Sequence, residues 1–243
     1  SYDGLIILIN FNIHNKIIFS KKIYALIPSK LTSITIKKKN LKKIKNKSLL
    51  NITIDQTKKS KYIDEIHVSS ENESLRKNCI NKKINFFKRN KKNSIASATA
   101  NDVIKEFILK KKLNINDILI YLQPTSPLRK YYHIDKSLKL FIKNKNLTLI
   151  GLKKVKFPIF KLVKKKKNYF SAFFKDSYLT KNRQNFPPMF IPNGAIYVFL
   201  VKNFIKKNHS IPTSKFNGYI MSDIESLDID NIIDLKLAKK YFK

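Results

Sequence analysis

The chain has 243 residues, enough for one large α/β domain or two small ones with a core that needs no disulfide or metal staple. Its single cysteine, Cys79, excludes an intrachain disulfide and fits a reducing, cytoplasmic compartment. No apolar run reaches the ~18 residues of a membrane span. The formal net charge is +35, from 51 basic and 16 acidic residues, which on its own suggests a nucleic-acid partner. However, only four of the basic residues are arginine (Arg76, Arg89, Arg129 and Arg183), the side chain that reads guanine and phosphate with two parallel hydrogen bonds. Lysine, asparagine and isoleucine are instead spread along the whole chain. The charge therefore reads as a solvated lysine surface, with weak polyanion binding as a by-product and no specific nucleic-acid role.

Residues 1–22 precede the first clear strand and read as an extension of unknown role. The "GLIILI" run within them (Gly4 to Ile9) lacks a basic leader and a small-residue cleavage site, so it does not read as a signal peptide. Strands are then expected at Ile23–Ile27, Glu65–Ser69, Asn85–Lys88, Ile118–Leu122, Thr148–Leu152 and Ala195–Leu200. Helices are expected between and after them, at Ser48–Ser60, Glu71–Asn78, Ala98–Lys111, His133–Asn144, Val201–Lys207 and Ile232–Lys240. This alternation predicts a mainly parallel sheet with helices on both faces, with ligands held at the carboxyl ends of strands. From about residue 154 to 192 the alternation breaks into a lysine-rich, then aromatic stretch that reads as an inserted arm. Its "KKKKN" (Lys164 to Asn168) reads as a hairpin tip.

Three polar stretches carry candidate chemistry. "QPTSPLR" (Gln123 to Arg129) follows a buried strand at once, and its prolines hold the loop in one shape. It is either a rigid crossover or a ligand loop presenting Gln123, Ser126 and Arg129. In "LDID" the carboxylates of Asp228 and Asp230 are two residues apart, which on an extended strand puts both on one face and Leu227 and Ile229 toward the core. Such a pair suits Mg²⁺ or Mn²⁺, although Asp230 could equally cap the helix that follows. Asp234 reads as a first-turn residue favoured by the helix dipole. In "PNGAIY", Gly194 allows a positive φ or a close backbone approach between Asn193 and Tyr197.

"LQPTSPLR" (Leu122 to Arg129), "PNGAIY" (Pro192 to Tyr197) and "SLDIDNIIDLKLAK" (Ser226 to Lys239), with "KYIDEIHVSS" (Lys61 to Ser70) and "RQNFPP" (Arg183 to Pro188), stand in the order and spacing of one family. Together they resemble the acylneuraminate cytidylyltransferases, the CMP-sialic acid synthetases, over about residues 23–243. The resemblance implies a Rossmann-like, three-layer α/β nucleotide-diphospho-sugar transferase fold with a dimerisation arm. It implies that CTP and a nonulosonic acid are joined into a CMP-sugar with loss of pyrophosphate. A homodimer is implied too, in which the arm reaches the neighbour's active site. It assigns Asp228, Lys39 and Lys30 to catalysis, and Asp228 and Asp230 to the metal. Asn40, Ser33, Ser97, Gln123, Ser126, Arg129, Arg183, Asn193 and Tyr197 are assigned to substrates, with Arg183 on the sugar carboxylate.

The family's first loop, which reads like A-R-x-x-S-K-G-x-P-x-K-N, aligns without a gap to "SKLTSITIKKKN" (Ser29 to Asn40). Ser33, Lys39 and Asn40 agree. Lys30 stands for an arginine, Ile34 for a lysine, Thr35 for a glycine and Lys37 for a proline. Lys37 and Lys38 are candidate substitutes for the missing ammonium. "ASATA" (Ala96 to Ala100) has Ala98 where the family has aspartate, and Ile191 replaces a residue that is often basic. These departures leave two further readings beside the enzyme. One is a member with decayed catalysis that still binds nucleotide or sugar; the other is a basic polyanion-binding protein. "PNGAIY" favours a sialic- or legionaminic-type sugar over a pseudaminate.

Overall fold

Alternation along β1 (Ile23–Pro28) sets the layers of the molecule. Ile23, Ala25 and Ile27 join one hydrophobic core while Tyr24 and Leu26 join another on the opposite face. The computed structural model describes residues 21–31, 35–95, 97–145, 147–211 and 215–242; the extension assigned to residues 1–22 thus lies almost wholly outside the described residues. After β1 the elements are β2 (Lys43–Ile44), β3 (Lys47–Ser48), α1 (Leu49–Lys58), β4 (Glu65–Ser70), α2 (Ser74–Asn81), β5 (Asn85–Lys88), α3 (Ala100–Lys111) and β6 (Ile118–Tyr121). Then come α4 (Tyr131–Lys143), β7 (Leu149–Lys154), β8 (Val163–Lys166), β9 (Tyr169–Ala172), α5 (Ser177–Thr180), β10 (Phe190–Leu200), α6 (Val201–Lys206), β11 (Asn217–Ile220) and α7 (Ile232–Tyr241).

Seven strands form one sheet in the order β11-β7-β10-β6-β1-β4-β5. All pairings are parallel except those of β10, which runs antiparallel to both β6 and β7. One face is covered by Leu50 and Ile54 of α1, Leu75 and Cys79 of α2, and Ile134, Leu138 and Phe141 of α4. The other is covered by Val103, Ile104, Phe107 and Ile108 of α3 and by Val201 and Phe204 of α6. This is the expected three-layer α/β architecture. A third cluster joins Ile36, Ile44, Leu49 and Ile52 to Ile229, Leu235 and Ala238, so the first loop and the C-terminal segment share one small core. Among the described residues no helix is long and apolar enough to cross a membrane.

Helix ends follow local chemistry. Ser48 caps α1 by accepting from the Asn51 N–H, and Thr99 with Asp102 closes a capping box on α3. β8 and β9 form the expected hairpin, turning at Lys167, whose φ is 39°. β11 was not expected; its "NGYI" has no apolar alternation, and its place is set by parallel pairing with β7. "LDID" departs from its expected strand: it belongs to no sheet, and the Ile229 N–H donates to Thr125 O at 2.9 Å, tying the segment under the Gln123 loop.

Candidate active site

Where β1 and β6 end, a cleft of about 640 Å³ opens between the first loop, the "QPTSPLR" loop and "LDID". Lys30, Lys39, Asn40, Gln123, Asp228 and Asp230 all line it. Six of the side chains singled out in the sequence, drawn from three distant segments, thus meet in one place.

Asp228 is the most constrained of them. Its Oδ1 is buried and has no hydrogen-bond partner. Burial raises the carboxyl above its usual range, the bond from Thr125 and the charge of Lys39 work against that rise, and Asp230 adds to it. Gly194 makes room for this carboxylate. β10 loses register between Pro192 and Tyr197, and Gly194 there has φ 74°. A Cβ on it would stand 3.2 Å from Asp228 Oδ2 and 3.5 Å from Gln123 Oε1. The close-approach expectation for this glycine is met, and Asp228 and Gln123 are its neighbours.

Asp230 is more open and is gripped from three sides. The Lys39 Nζ donates to its Oδ1 at 3.1 Å, the Thr35 hydroxyl donates to its carbonyl at 2.5 Å, and its N–H donates to Asp234 Oδ2 at 2.9 Å. It does not cap the last helix. Asn231 does, accepting from Ile233 and Asp234 in a box with Asp234, which leaves the Asp230 carboxylate free for the cleft.

The two aspartates offer hard oxygen donors, one of them a buried, unpartnered carboxylate oxygen, and this fits a divalent cation such as Mg²⁺ or Mn²⁺. Among the described residues no group of three or more His, Cys, Asp or Glu is assembled as a cage. Mg²⁺ typically takes one or two carboxylates and completes its shell with water and phosphate, so the pair is sufficient.

Other expected contacts are spent on the scaffold. Arg129 is buried and does not reach the cleft. Its guanidinium donates to Gln123 O at 3.0 Å, Ala195 O at 2.6 Å and Thr53 Oγ1 at 3.2 Å, so it pins the Gln123 loop to β10 and α1. Burial brings it down to about 9, with Asp228 acting in the other direction. Asn193 is likewise buried, donating to Ser226 Oγ at 3.0 Å and accepting from the Ala195 N–H at 3.1 Å. Ser126 is buried inside its loop and Tyr197 packs edge-on against Tyr121, which does line the cleft. Ser97 is exposed beside the lining residues Ala98 and Thr99. Arg183 lies on the arm, donating to Lys156 O, and takes no part in this chain's cleft. Ser33 lies outside the described residues, as does Ile34.

Among the lining residues that the sequence did not mark for the site is an arginine. Arg89 is 3% exposed and lines the cleft, held by Ser69 Oγ at 3.1 Å, Ser69 O at 2.5 Å and Asn93 O at 3.3 Å. A guanidinium carries five N–H donors, so it keeps donors for a ligand after these bonds. Nothing in "FKRNKK" separates it from surface charge; the signal was only that arginine is rare here. Lys37 and Lys38 are exposed and do not line the cleft, so they do not replace the missing loop lysine in this arrangement.

A family model described as Cytidylyltransferase matches residues 24–240. Over 215 residues the chain is 27% identical to an N-acylneuraminate cytidylyltransferase of Streptococcus agalactiae serotype V, covering 84% of this chain and 49% of that protein. The chain therefore spans about half the length of that relative. It is 25% identical over 226 residues to a pseudaminic acid cytidylyltransferase of Campylobacter jejuni, covering 90% of this chain and 95% of that one. Among solved structures, a CMP:2-keto-3-deoxy-manno-octonic acid synthetase complexed with CTP superposes with a TM-score of 0.66. That match has 13% sequence identity and covers 90% of this chain and 98% of that one, a likeness of fold.

Proposed function

The chain belongs to the cytidylyltransferase family, and from this premise we propose that it transfers the cytidylyl group of CTP to the anomeric hydroxyl of a nonulosonic acid, releasing pyrophosphate and forming a CMP-sugar. The observation that carries the reading is the meeting of Asp228 and Asp230 with Lys30, Lys39, Arg89 and Gln123 in one cleft at the carboxyl ends of strands. Phosphoryl-type transfer needs in-line positioning and neutralised phosphate charge more than covalent help. In this reading Lys30 and Lys39 meet the phosphates from the first loop, and Asn40, whose side chain donates to Lys30 O at 3.4 Å, keeps that loop folded. Arg89 supplies N–H donors to the nucleotide from the cleft wall, and Gln123 orients the sugar. Asp228 and Asp230 hold Mg²⁺ or Mn²⁺, which when bound offsets charge at the transferring phosphorus.

The sugar class is sialic-type. The named activities of the relatives, toward N-acylneuraminate and pseudaminic acid, support a nine-carbon acid, and "PNGAIY" favours the first kind. The domain is taken as residues 23–243, acting in the cytoplasm, with the segment 154–192 as a dimerisation arm. That arm exposes Tyr169, Phe170, Phe173 and Phe174, an apolar surface suited to a second copy. Arg183, remote from its own cleft, then meets the sugar carboxylate in the cleft of that copy. A second reading, nucleotide or sugar binding without turnover, is favoured by one observation: Ala98 lines the cleft where the resemblance has an aspartate.

The test is pyrophosphate release with each of the four nucleoside triphosphates and a panel of nonulosonic acids. The enzyme reading expects release with CTP and at least one sialic-type acid. Heat stabilisation by CTP with no release for any acid would favour the binding reading.

A further inference from the structure

We infer that Thr35 is a positioning residue that fixes the Asp230 carboxylate for its cation, through a side-chain tie at a position where the family pattern has a glycine. The inference rests on the two-carboxylate reading of the cleft and goes beyond it. Thr35 lines the cleft, and its hydroxyl donates to Asp230 O at 2.5 Å across 195 positions of sequence. On its other side, the Asp230 N–H is held by Asp234 Oδ2 at 2.9 Å. With its carbonyl and its amide both anchored, Asp230 keeps one backbone orientation. Its 74% exposed side chain, which accepts from Lys39 at 3.1 Å, then starts from a fixed Cα.

The contact is supported from below, because Ile36, next to Thr35, and Ile229, next to Asp230, are buried in the same small core. Thr35 does not adopt the left-handed backbone that a phosphate-wrapping glycine would supply. Among the described residues of this loop the positive φ falls on Lys38, at 53°. A glycine at position 35 has no hydroxyl to donate, so this tie belongs to the chain's own sequence. A pre-anchored carboxylate loses less freedom when it binds a cation, and that gain appears as affinity.

The test is Mn²⁺ binding to the full chain with CTP, read from the free Mn²⁺ signal in electron paramagnetic resonance and corrected for Mn²⁺ held by CTP alone. Thr35→Val, which keeps the shape and removes the hydroxyl, is expected to weaken Mn²⁺ binding about 5- to 10-fold, the worth of one hydrogen bond. Thr35→Ser is expected to restore it, and the KM for the sugar acid to stay unchanged in both. If Thr35→Val melts early, Thr35→Ala against Thr35→Ser makes the same comparison. Wild-type Mn²⁺ affinity in the variants lacking the hydroxyl, with binding lost in Asp228→Asn, overturns the role of Thr35 alone. Wild-type affinity in Asp228→Asn as well removes the two-carboxylate reading, and this inference with it.

Discussion

The ammonium of Lys39 stands 3.1 Å from Oδ1 of Asp230, joining the first loop to the C-terminal segment across 191 positions of sequence. The lysine is 16% exposed and the aspartate 74%, so the pair faces solvent on one side only. Exposed ion pairs contribute at most about 1 kcal/mol, whereas a charge-stabilising group lost from a reacting centre costs on the order of 10²–10³ in rate. Lys39→Met should therefore leave the melting temperature nearly unchanged and lower turnover with CTP by that rate factor, as read by pyrophosphate release.

Gly194 has φ 74° and would place a Cβ 3.2 Å from Asp228 Oδ2. Gly194→Ala adds about 1–2 kcal/mol of left-handed backbone strain and pushes on the carboxylate. Denaturant unfolding should show that loss of stability, and turnover should fall more than tenfold (roughly 1.4 kcal/mol or more at the barrier).

Arg129 separates scaffold from substrate contact. Three acceptors depend on its guanidinium, and one of them, Gln123 O, belongs to the cleft loop. Arg129→Lys cannot reach all three and leaves buried acceptors unmet, which should cost about 2–4 kcal/mol in urea unfolding. A variant of wild-type stability with a raised KM for the sugar acid would return Arg129 to the list of substrate contacts.

Acid should loosen the turn that carries Asn93. Glu106 is buried and accepts from the Asn90 N–H at 2.8 Å, Asn93 Nδ2 at 2.5 Å and Lys110 Nζ at 2.7 Å. Burial alone would raise its carboxyl, but these three bonds hold it below the ordinary 4.5. A depressed acid adds stability that is fully present above 4.5 and is lost as pH falls through its folded value. Glu106→Gln should be less stable than wild type by about 1–3 kcal/mol at pH 7, and the gap should close as the pH falls below 4.5 and through the lowered folded value. Thermal melts at stepped pH measure both.

Much of the fold was legible because its strands alternate or run apolar: Ile23–Ile27 and Ile118–Leu122 read as apolar strands from sequence, and both are buried. β11 was not legible, since Gly218 and Asn217 carry no apolar signal and the strand exists through its partner β7. In the site, the motifs located the cleft but not the direction of each side chain. Gln123 and Arg129 sit in one short loop, yet one lines the cleft and the other turns into the core to hold it. Asp230 read as either a metal ligand or the cap of the last helix, and only the bond pattern shows that its neighbour Asn231 does the capping. Arg89 was hidden because a lone arginine among lysines has no periodicity to betray its burial.

The central claim is that Asp228, with its unpartnered Oδ1 in the cleft, holds the cation on which cytidylyl transfer depends. The most direct measurement is pyrophosphate release from CTP, Mg²⁺ and N-acetylneuraminate by wild type and Asp228→Asn, each with a melting curve. The account predicts turnover in wild type and a loss of at least about 10³ in the variant, with an unchanged or slightly higher melting temperature because a buried charge becomes neutral. Near-wild-type turnover in Asp228→Asn would contradict it.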